Sequence, residues 1–382
     1  MIYFDNAATS FPKPREVTRE VVRCLTRYGG NAGRGSHALS LAAAEKIFEC
    51  REKLSELFGV DDPARVFFTV NTTQGLNTVI KGALRDGDHV LISDIEHNAV
   101  FRPIYKLAKE GKITFDIYPS MIGDGRRSPT RICAGIARLI KPQTSMVIAS
   151  WASNICSATM PIAEIGTFCR RHGIYFIVDG AQGAGHIPLD VGSLEIDALC
   201  VPGHKGLLGP QGSGAVILGK DFCPDTLIEG GIGVNSLEGE MPFESPERYE
   251  AGTLQTPAIA GLCEGVKLLL RQDISAIAEH ERKLYRRARE ALCNMNGIKV
   301  YAPEYEGSVL LFSIDGVSSE NAVDRLNDSG ICARGGYHCC PLGHKTLGTL
   351  QDGGAVRISF GMPNTEWEID AFVDALQNIV KN

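Results

Sequence analysis

Two hydrophobic periods alternate along this chain, and their order predicts its architecture. Short apolar runs at residues 65–70, 89–93, 113–118, 145–151 and 174–178 read as strands, separated by apolar positions at helical spacing over 71–85, from 98, over 131–140 and over 162–172. Strand and helix in succession mark βαβ units, hence an α/β fold with a mostly parallel sheet covered by helices on both faces. The run Ile174, Tyr175, Phe176, Ile177, Val178 shows no apolar–polar alternation, the pattern of a central strand, and Asp179 ends it. A further apolar run at 196–201 leads into Pro202-Gly203-His204-Lys205-Gly206, and the turn GPQGSG precedes another strand, AVILG. Ahead of these strands, helical spacing begins near Arg15 and resumes over 41–58, with the glycine-rich loop GGNAGRGSHALS between.

Beyond residue 219 the pattern breaks into a polar stretch rich in Gly and Pro, EGGIGVNSLEGEMPFESPERYEAGTLQTP. An irregular segment of that length is uncommon in a compact domain and points to function or an interface. Helices follow from 258 and over 274–295, then strands at 298–301, 309–314, 331–333 and 355–359, a helix over 321–329 and a last one from 365. Strands with helices to one side predict a smaller α+β domain. The expected division is a large ligand-binding domain over 15–255 and a small one made of 1–14 plus 256–382. The opening segment IYFDNAATSFPKP is expected to lie across the cleft.

Composition narrows the partners. A chain of 382 residues exceeds the size, about 250–300 residues, at which single cores stop growing. With 44% hydrophobic and 22% charged residues it reads as an ordinary globular protein, and a net charge of −6 without a basic run argues against nucleic acid or an anionic membrane. No apolar stretch reaches membrane-spanning length, and Met1 runs straight into Ile-Tyr-Phe-Asp-Asn without a leader, so a cytoplasmic location is expected. The 12 cysteines are scattered without repeating spacing and read as small core residues, the adjacent pair Cys339-Cys340 excepted.

The candidate chemistry sits where strands end. Ligands of open α/β sheets lie beyond the carboxyl ends of the strands, which singles out Asp179. Singly, Asp179 reads equally as a strand cap and Lys205 as a solvated loop residue; together they point to an aldehyde cofactor, with Lys205 as Schiff-base amine and Asp179 as partner of a pyridine nitrogen. Asn71-Thr72-Thr73-Gln74-Gly75 stands between a strand and a helix, an arrangement that fits either a plain N-cap Thr or an anion site at the helix start. His97 in DIEHNAV is a helix cap or a ring that stacks on a planar ligand. Asn154 is a turn residue or a donor to a ring substituent. Arg34 and His37 in the glycine-rich loop are solvated or functional. The loop ARGGYHCCPLGHKTLGT, rich in reactive side chains, looks like an active-site loop. GPQGSG is not a dinucleotide fingerprint, because its glycines precede a strand rather than a helix. His338, Cys339, Cys340 and His344 match no zinc spacing, so no metal is expected.

The motifs YFDNAAT, NTTQG, EHNA, VDGAQ, GHKGLLGPQG, RYEAGT, RGGYHC and VRISFGMPNT, in this order, resemble the class V aminotransferase superfamily of fold type I, and most closely the group II cysteine desulfurases and selenocysteine lyases. The resemblance covers essentially the whole chain. It implies a seven-stranded-type sheet, pyridoxal 5'-phosphate, a homodimer, a small amino-acid substrate and a protein that accepts sulfur or selenium. By resemblance Lys205 bonds the cofactor, Asp179 and Gln182 contact its ring nitrogen and phenolic oxygen, His97 stacks on the ring, and Asn154 lies near the phenolic oxygen. Thr72, Thr73 and His204 bind phosphate, and Thr253 reaches the phosphate of the neighbouring subunit. Arg357 holds the substrate carboxylate, with Asn154, Ala8, His37 and Arg334 also on the substrate side, and Cys339 accepts the sulfur.

Physical chemistry supports these roles. A carboxylate about 4 Å from a ring nitrogen at an effective dielectric near 20 favours the protonated ring by roughly 4 kcal/mol, about three pKa units. An arginine can grip a carboxylate through two parallel hydrogen bonds. An ordinary thiol is only a few per cent ionised at neutral pH, so Cys339 is expected to need help from His338, Arg334 or the cofactor. Two positions depart from the family pattern. Pro202 stands where many relatives have Ser or Thr, removing one phosphate contact, and Cys340 stands where relatives often have Ala. Cys340 reads as a spectator, a resolving thiol or half of a vicinal disulfide. The wording PLGHKTLGT resembles a subgroup linked to selenium metabolism, which keeps selenocysteine as an alternative substrate. A non-enzymatic sulfur carrier and a transaminase are the remaining alternatives.

Overall fold

In the structure, a computed structural model that describes residues 1–33, 35–234 and 236–381, the chain opens with β1 (Ile2–Tyr3), α1 (Arg15–Arg23) and α2 (Ala38–Leu57) before entering a seven-stranded sheet. That sheet takes β2 (Val66–Thr69), β3 (His89–Ser93), β4 (Thr114–Tyr118), β5 (Thr144–Ser150), β6 (Tyr175–Asp179), β7 (Ala198–Pro202) and β8 (Gly214–Leu218). Their spatial order is β2-β8-β7-β6-β5-β3-β4. Helices α3 (Thr72–Ala83), α4 (Asn98–Lys109), α5 (Pro129–Leu139) and α6 (Ile162–His172) connect successive strands. Pairs from β7 across to β4 are parallel, whereas β8 runs antiparallel to both β7 and β2. β2 therefore points with the parallel strands, and the carboxyl ends of β2, β3, β5, β6 and β7 open on one edge.

The unbroken apolar runs are explained by what covers them. Leu91, Val147, Phe176 and Val178 pack into the helix layer on one face, while their neighbours Val90, Ile92, Ile148 and Ile177 pack into the layer on the other. Burial of each such side chain stabilises by about 1.5–3 kcal/mol, so a polar residue inside β6 is strongly disfavoured. Asp179 is the exception at its carboxyl end, where the strand meets the site.

The rest of the chain is α7 (Thr256–Arg271), α8 (Ile274–Cys293), β9 (Ile298–Tyr301), β10 (Val309–Ile314), α9 (Ser319–Asp328), β11 (Ile331–Cys332), α10 (Pro341–Thr346), β12 (Val356–Ser359) and α11 (Glu366–Lys381). β12-β10-β9 form an antiparallel sheet that packs on α8, α9 and α11 through Leu284, Phe312, Leu326, Ile358 and Phe372. The expected boundary at residue 255 assigns α7 to this small domain. Its buried Ile259, Leu262, Cys263 and Val266 instead share the core of the large sheet, because the apolar face of α7 covers α1 and α2. The two cores part within α8, between Ile277, which packs into the large core, and Leu284, which packs into the small one.

The first residues join the small core. β1 pairs in parallel with β11, and Phe4 lies edge-on to Phe360 and Phe372 at 5.3 and 5.9 Å. The chain then crosses the cleft to the Lys205 turn, where the His204 carbonyl accepts from Ser10 N–H at 3.0 Å, Thr9 Oγ1 at 3.0 Å and Lys13 Nζ at 2.7 Å. The irregular segment before α7 is tied down by Glu250, which grips Arg51 at 2.5 and 2.8 Å and accepts from Phe68 N–H at 2.6 Å.

Candidate active site

A cavity of about 310 Å³ lies at the carboxyl ends of the strands, lined by Ala7, Ala8, Thr72, Thr73, His97, Asn154, Asp179, Gln182, His204, Lys205, Arg334, His338, Cys339 and Arg357. A larger hollow of about 660 Å³ at the opposite ends, lined by residues such as Asp61, Arg170 and Asp197, gathers none of these groups. The smaller cavity holds the chemistry, and it unites twelve of the fourteen residues to which the family resemblance gives a role in the site, together with His338 and Pro202.

β6 delivers Asp179 to its floor. The side chain is buried, accepts the Ala181 N–H at 2.9 Å, and has its pKa raised by burial against the lowering pull of Lys205. Lys205 follows β7 in a turn that only glycines permit: a Cβ at Gly203 would lie 2.1 Å from Ser213 Oγ, and one at Gly206 2.2 Å from the Ala184 carbonyl. Burial, aided by Arg357 and Arg334, pulls the Lys205 amine down to about 8, opposed by Asp179 and Asp5. Roughly a tenth of such amines are neutral at pH 7, against well under a thousandth for an ordinary lysine.

His97 is the N-cap of α4, its Nδ1 accepting the Ala99 N–H at 3.0 Å, and burial beside Lys205, Arg334 and Arg357 pushes it down to about 4. The ring is neutral and held by its cap, so the capping and stacking roles are compatible. Gln182 donates to the Ala7 carbonyl at 3.0 Å, and Asn154 uses an amide N–H on the His338 carbonyl at 2.8 Å.

The start of α3 is built for an anion. Its cap is Asn71, whose Oδ1 accepts the Gln74 N–H at 2.9 Å, rather than a threonine. The first N–H groups of a helix have no acceptor within it and carry the positive end of its dipole. Beside them Thr72 Oγ1 and His204 Nδ1 are buried without a hydrogen-bond partner. Burial, with Lys205 and Lys13 nearby, pushes His204 to about 4, so its ring is neutral. Two orphaned polar atoms at a helix start fit a phosphate, and the buried acid Asp179 and the lysine fit a pyridine ring that carries an aldehyde.

The small domain supplies the opposite wall. Arg357 on β12 is 2% exposed, donates to the Asn154 carbonyl at 2.9 Å and to Asp5 Oδ1 at 2.7 Å, and its Nε is buried without a partner. Arg334 pairs with it backbone to backbone, through N–H···O bonds of 3.1 and 2.7 Å. Cys339 is exposed to the cavity, and its carbonyl accepts the Asn98 N–H at 2.7 Å. His338 and Cys339 have φ of 50° and 55°. Left-handed backbone costs a non-glycine residue roughly 1–2 kcal/mol, so this loop is held by its hydrogen bonds.

The expectation that His338 helps ionise Cys339 is corrected. Its two ring nitrogens are engaged by His344 and the Arg334 carbonyl, both at 3.1 Å, and burial beside Arg357 pushes it to about 2. At neutral pH its ring is therefore neutral, with both nitrogens engaged away from the thiol. Cys340 points away from the cavity: its thiol donates to the Ile95 carbonyl at 3.3 Å, and burial pushes its pKa up.

His37 and Thr253 do not line the cavity of their own chain. His37 caps α2, accepting the Ser40 N–H at 3.2 Å, and Thr253 accepts from Asn31 at 3.2 Å on the exposed surface. Arg34 lies outside the described residues. Sequence reasoning missed Asp5, whose partner is Arg357, and Glu96. Glu96 is fully buried, accepts Ser150 N–H and Oγ–H at 2.8 Å each and the Ser93 hydroxyl, and is pushed up to about 7 by burial, with Asp179 adding to the effect. Its position between the flagged strand end and His97 was the available signal.

A family model described as aminotransferase class-V matches residues 2–372. The chain is 30% identical over 385 residues to a protein of Methanothermobacter thermautotrophicus described as a probable cysteine desulfurase, covering 99% of this chain and 94% of that one. It is 30% identical over 390 residues to the cysteine desulfurase CsdA of Escherichia coli, covering 100% and 94%. Among solved structures, an apo cysteine desulfurase from Thermococcus onnurineus superposes with a TM-score of 0.89 at 28% identity, covering 100% of this chain and 94% of that one.

Proposed function

Because the chain belongs to the class-V aminotransferase family, we propose that it is a pyridoxal 5'-phosphate-dependent cysteine desulfurase, converting L-cysteine to L-alanine and leaving the sulfur on Cys339 as a persulfide. The observation that carries this reading is one cavity with Lys205, Asp179 and Arg357 inside and an accessible thiol, Cys339, in its wall.

Thr72, Thr73 and His204 would hold the cofactor phosphate, Asp179 its ring nitrogen, His97 its face, and Gln182 and Asn154 its oxygen side. When bound, the cofactor supplies a ring that takes up the electrons released at the substrate Cα. Lys205, with an amine near 8, suits both the bonding of an aldehyde and the removal and return of the Cα proton. Arg357 orients the substrate carboxylate, and its unpartnered buried Nε is the donor left for it. Cys339 Sγ attacks the substrate sulfur: an S–S bond forms, the S–Cβ bond breaks, and its electron pair, with a proton, becomes part of the alanine methyl group. Atoms balance as cysteine plus thiol giving alanine plus persulfide.

A homodimer completes the proposal. Thr253 and His37 stand outside their own cavity, and the surface near them carries exposed Leu39, Leu41 and Phe48, which supports a role across a subunit contact. The persulfide would pass to a thiol of an acceptor protein. No described helix is long and apolar enough to cross a membrane, and the reading includes a cytoplasmic location.

The test is product analysis on purified holoenzyme given L-cysteine and a reductant. Equimolar alanine and sulfide, lost in Cys339→Ala, is the expected result; a 2-oxo acid in place of alanine would overturn it in favour of transamination. L-selenocysteine run beside cysteine distinguishes a lyase, which keeps forming alanine in Cys339→Ala.

A further inference from the structure

The Cys339 loop contains a buried chain of polar groups that the reaction above does not use. His338 is 4% exposed, while His344 and Thr349 are completely buried. The two imidazoles stack at 5.3 Å with 16° between their planes. His338 Nε2 lies 3.1 Å from the Arg334 carbonyl, His338 Nδ1 lies 3.1 Å from His344 Nε2, and His344 Nδ1 lies 2.6 Å from Thr349 Oγ1.

The direction of this chain follows from its end. A carbonyl only accepts, so His338 Nε2 carries the proton, and in a neutral ring Nδ1 is then an acceptor. His344 must therefore donate from Nε2, which makes its own Nδ1 an acceptor, and the Thr349 hydroxyl, which also lies 3.3 Å from the His344 carbonyl, gives its proton to this nearer nitrogen. Reversing any link sets two acceptors against each other at the Arg334 carbonyl. Both histidines are neutral, since burial pushes His338 to about 2 and His344 to about 4. The receiving carbonyl also accepts the Arg357 N–H at 2.7 Å, so the chain ends on the backbone link between the two cavity arginines. In between it fixes His338, which stands next to Cys339 and shares its left-handed backbone.

We propose that Thr349, His344 and His338 are positioning residues for sulfur acceptance, forming a one-way hydrogen-bond chain that holds the left-handed His338–Cys339 backbone and so aims the thiol at the substrate. This rests on the desulfurase reading. The chain works only when each member is present: losing the Thr349 donor leaves a buried ring nitrogen unsatisfied and frees His344 to turn, which unlocks His338.

The experiment compares cofactor-loaded wild type, Thr349→Val and Thr349→Ser. Valine keeps the shape and removes the donor; serine restores the donor without the methyl group. Two rates are read: sulfide release per cofactor-loaded site, and alkylation of Cys339 by iodoacetamide, located by mass spectrometry. Thr349→Val is expected to lower kcat about tenfold, with KM within about twofold and the cofactor absorbance unchanged, and to change the alkylation rate at least about threefold. Thr349→Ser is expected to restore both to within about twofold. A wild-type kcat and alkylation rate in Thr349→Val would overturn the proposal, as would a serine variant as impaired as the valine one, which is the mark of mere packing. If Thr349→Val does not fold, His344→Gln, which keeps a donor toward His338, is set against His344→Leu; equal rates in these two overturn it. Alkylation is independent of turnover, so failure of the desulfurase reading shows as absent alanine in wild type and leaves the positioning result readable.

Discussion

Glu96 sets a pH dependence of stability that can be isolated. Its carboxyl is fully buried and raised from the ordinary 4.5 to about 7. Below the lower value both folded and unfolded states are protonated and the group is neutral in its effect. Between the two values the unfolded chain ionises and the folded one does not, so the unfolded state binds fewer protons and stability falls as pH rises. Above the folded value the full penalty stands, about 3 kcal/mol. Between pH 5 and 8 the two titrations give a loss of about 2.5 kcal/mol from this group. Glu96→Gln keeps the shape and an acceptor for the Ser150 N–H but does not titrate. Urea unfolding of both proteins at pH 5 and pH 8 gives four stabilities; every other titrating group cancels in their double difference, apart from the share Glu96 exchanges with Asp179. Wild type is expected to lose about 2.5 kcal/mol more than the variant. Parallel pH profiles, within about 0.5 kcal/mol, would refute the assignment, since they would mean that Glu96 is ionised as readily in the fold as outside it.

Other expectations follow from the same site. Labelling of Lys205 in cofactor-free protein by an amine reagent should reach half its limiting rate near pH 8, as the amine value of about 8 requires, and not two units higher; mass spectrometry of the modified peptide reads it. Asp5→Ala strips Arg357 of its only carboxylate partner among the described residues; it should cost about 2–4 kcal/mol of stability in denaturant titrations. Cys339→Ala should abolish sulfide release, whereas Cys340→Ala should retain it within about twofold, because the Cys340 thiol faces the Ile95 carbonyl. Thr253→Ala should weaken cofactor binding in equilibrium dialysis although the residue lies outside its own chain's cavity, and unchanged affinity would count against a role in the neighbouring subunit.

The sequence carried the parts of this molecule whose causes are local. An unbroken apolar run ending in Asp179 is a central strand whatever surrounds it, and glycines on both sides of His204-Lys205 announce a turn tight enough to exclude side chains. What escaped was set by distant partners. Asp5 and Arg357 stand 352 positions apart, so their pairing is invisible until β1 and β12 meet. Glu96 could be seen beside His97, but its burial depends on Ser150, 54 positions on. The same holds for α7: its apolar face is compatible with either domain, and only the exposed stripe left by α1 and α2 decides. His338 was expected to act on Cys339 because it is adjacent in the chain, whereas its ring is committed to His344 and a backbone carbonyl.

The place of the first strand has a consequence for biosynthesis. Ile2 and Tyr3 are made more than three hundred residues before their partners Ile331 and Cys332, and the segment between β1 and α1 props the carbonyl ahead of Lys205. Domains tend to fold as they emerge, so the seven-stranded sheet can assemble while its own leading segment waits, unpaired, for more than three hundred residues. The wall that bears Cys339 is also made late. A nascent chain can thus complete its seven-stranded sheet well before the loop that bears Cys339 is made.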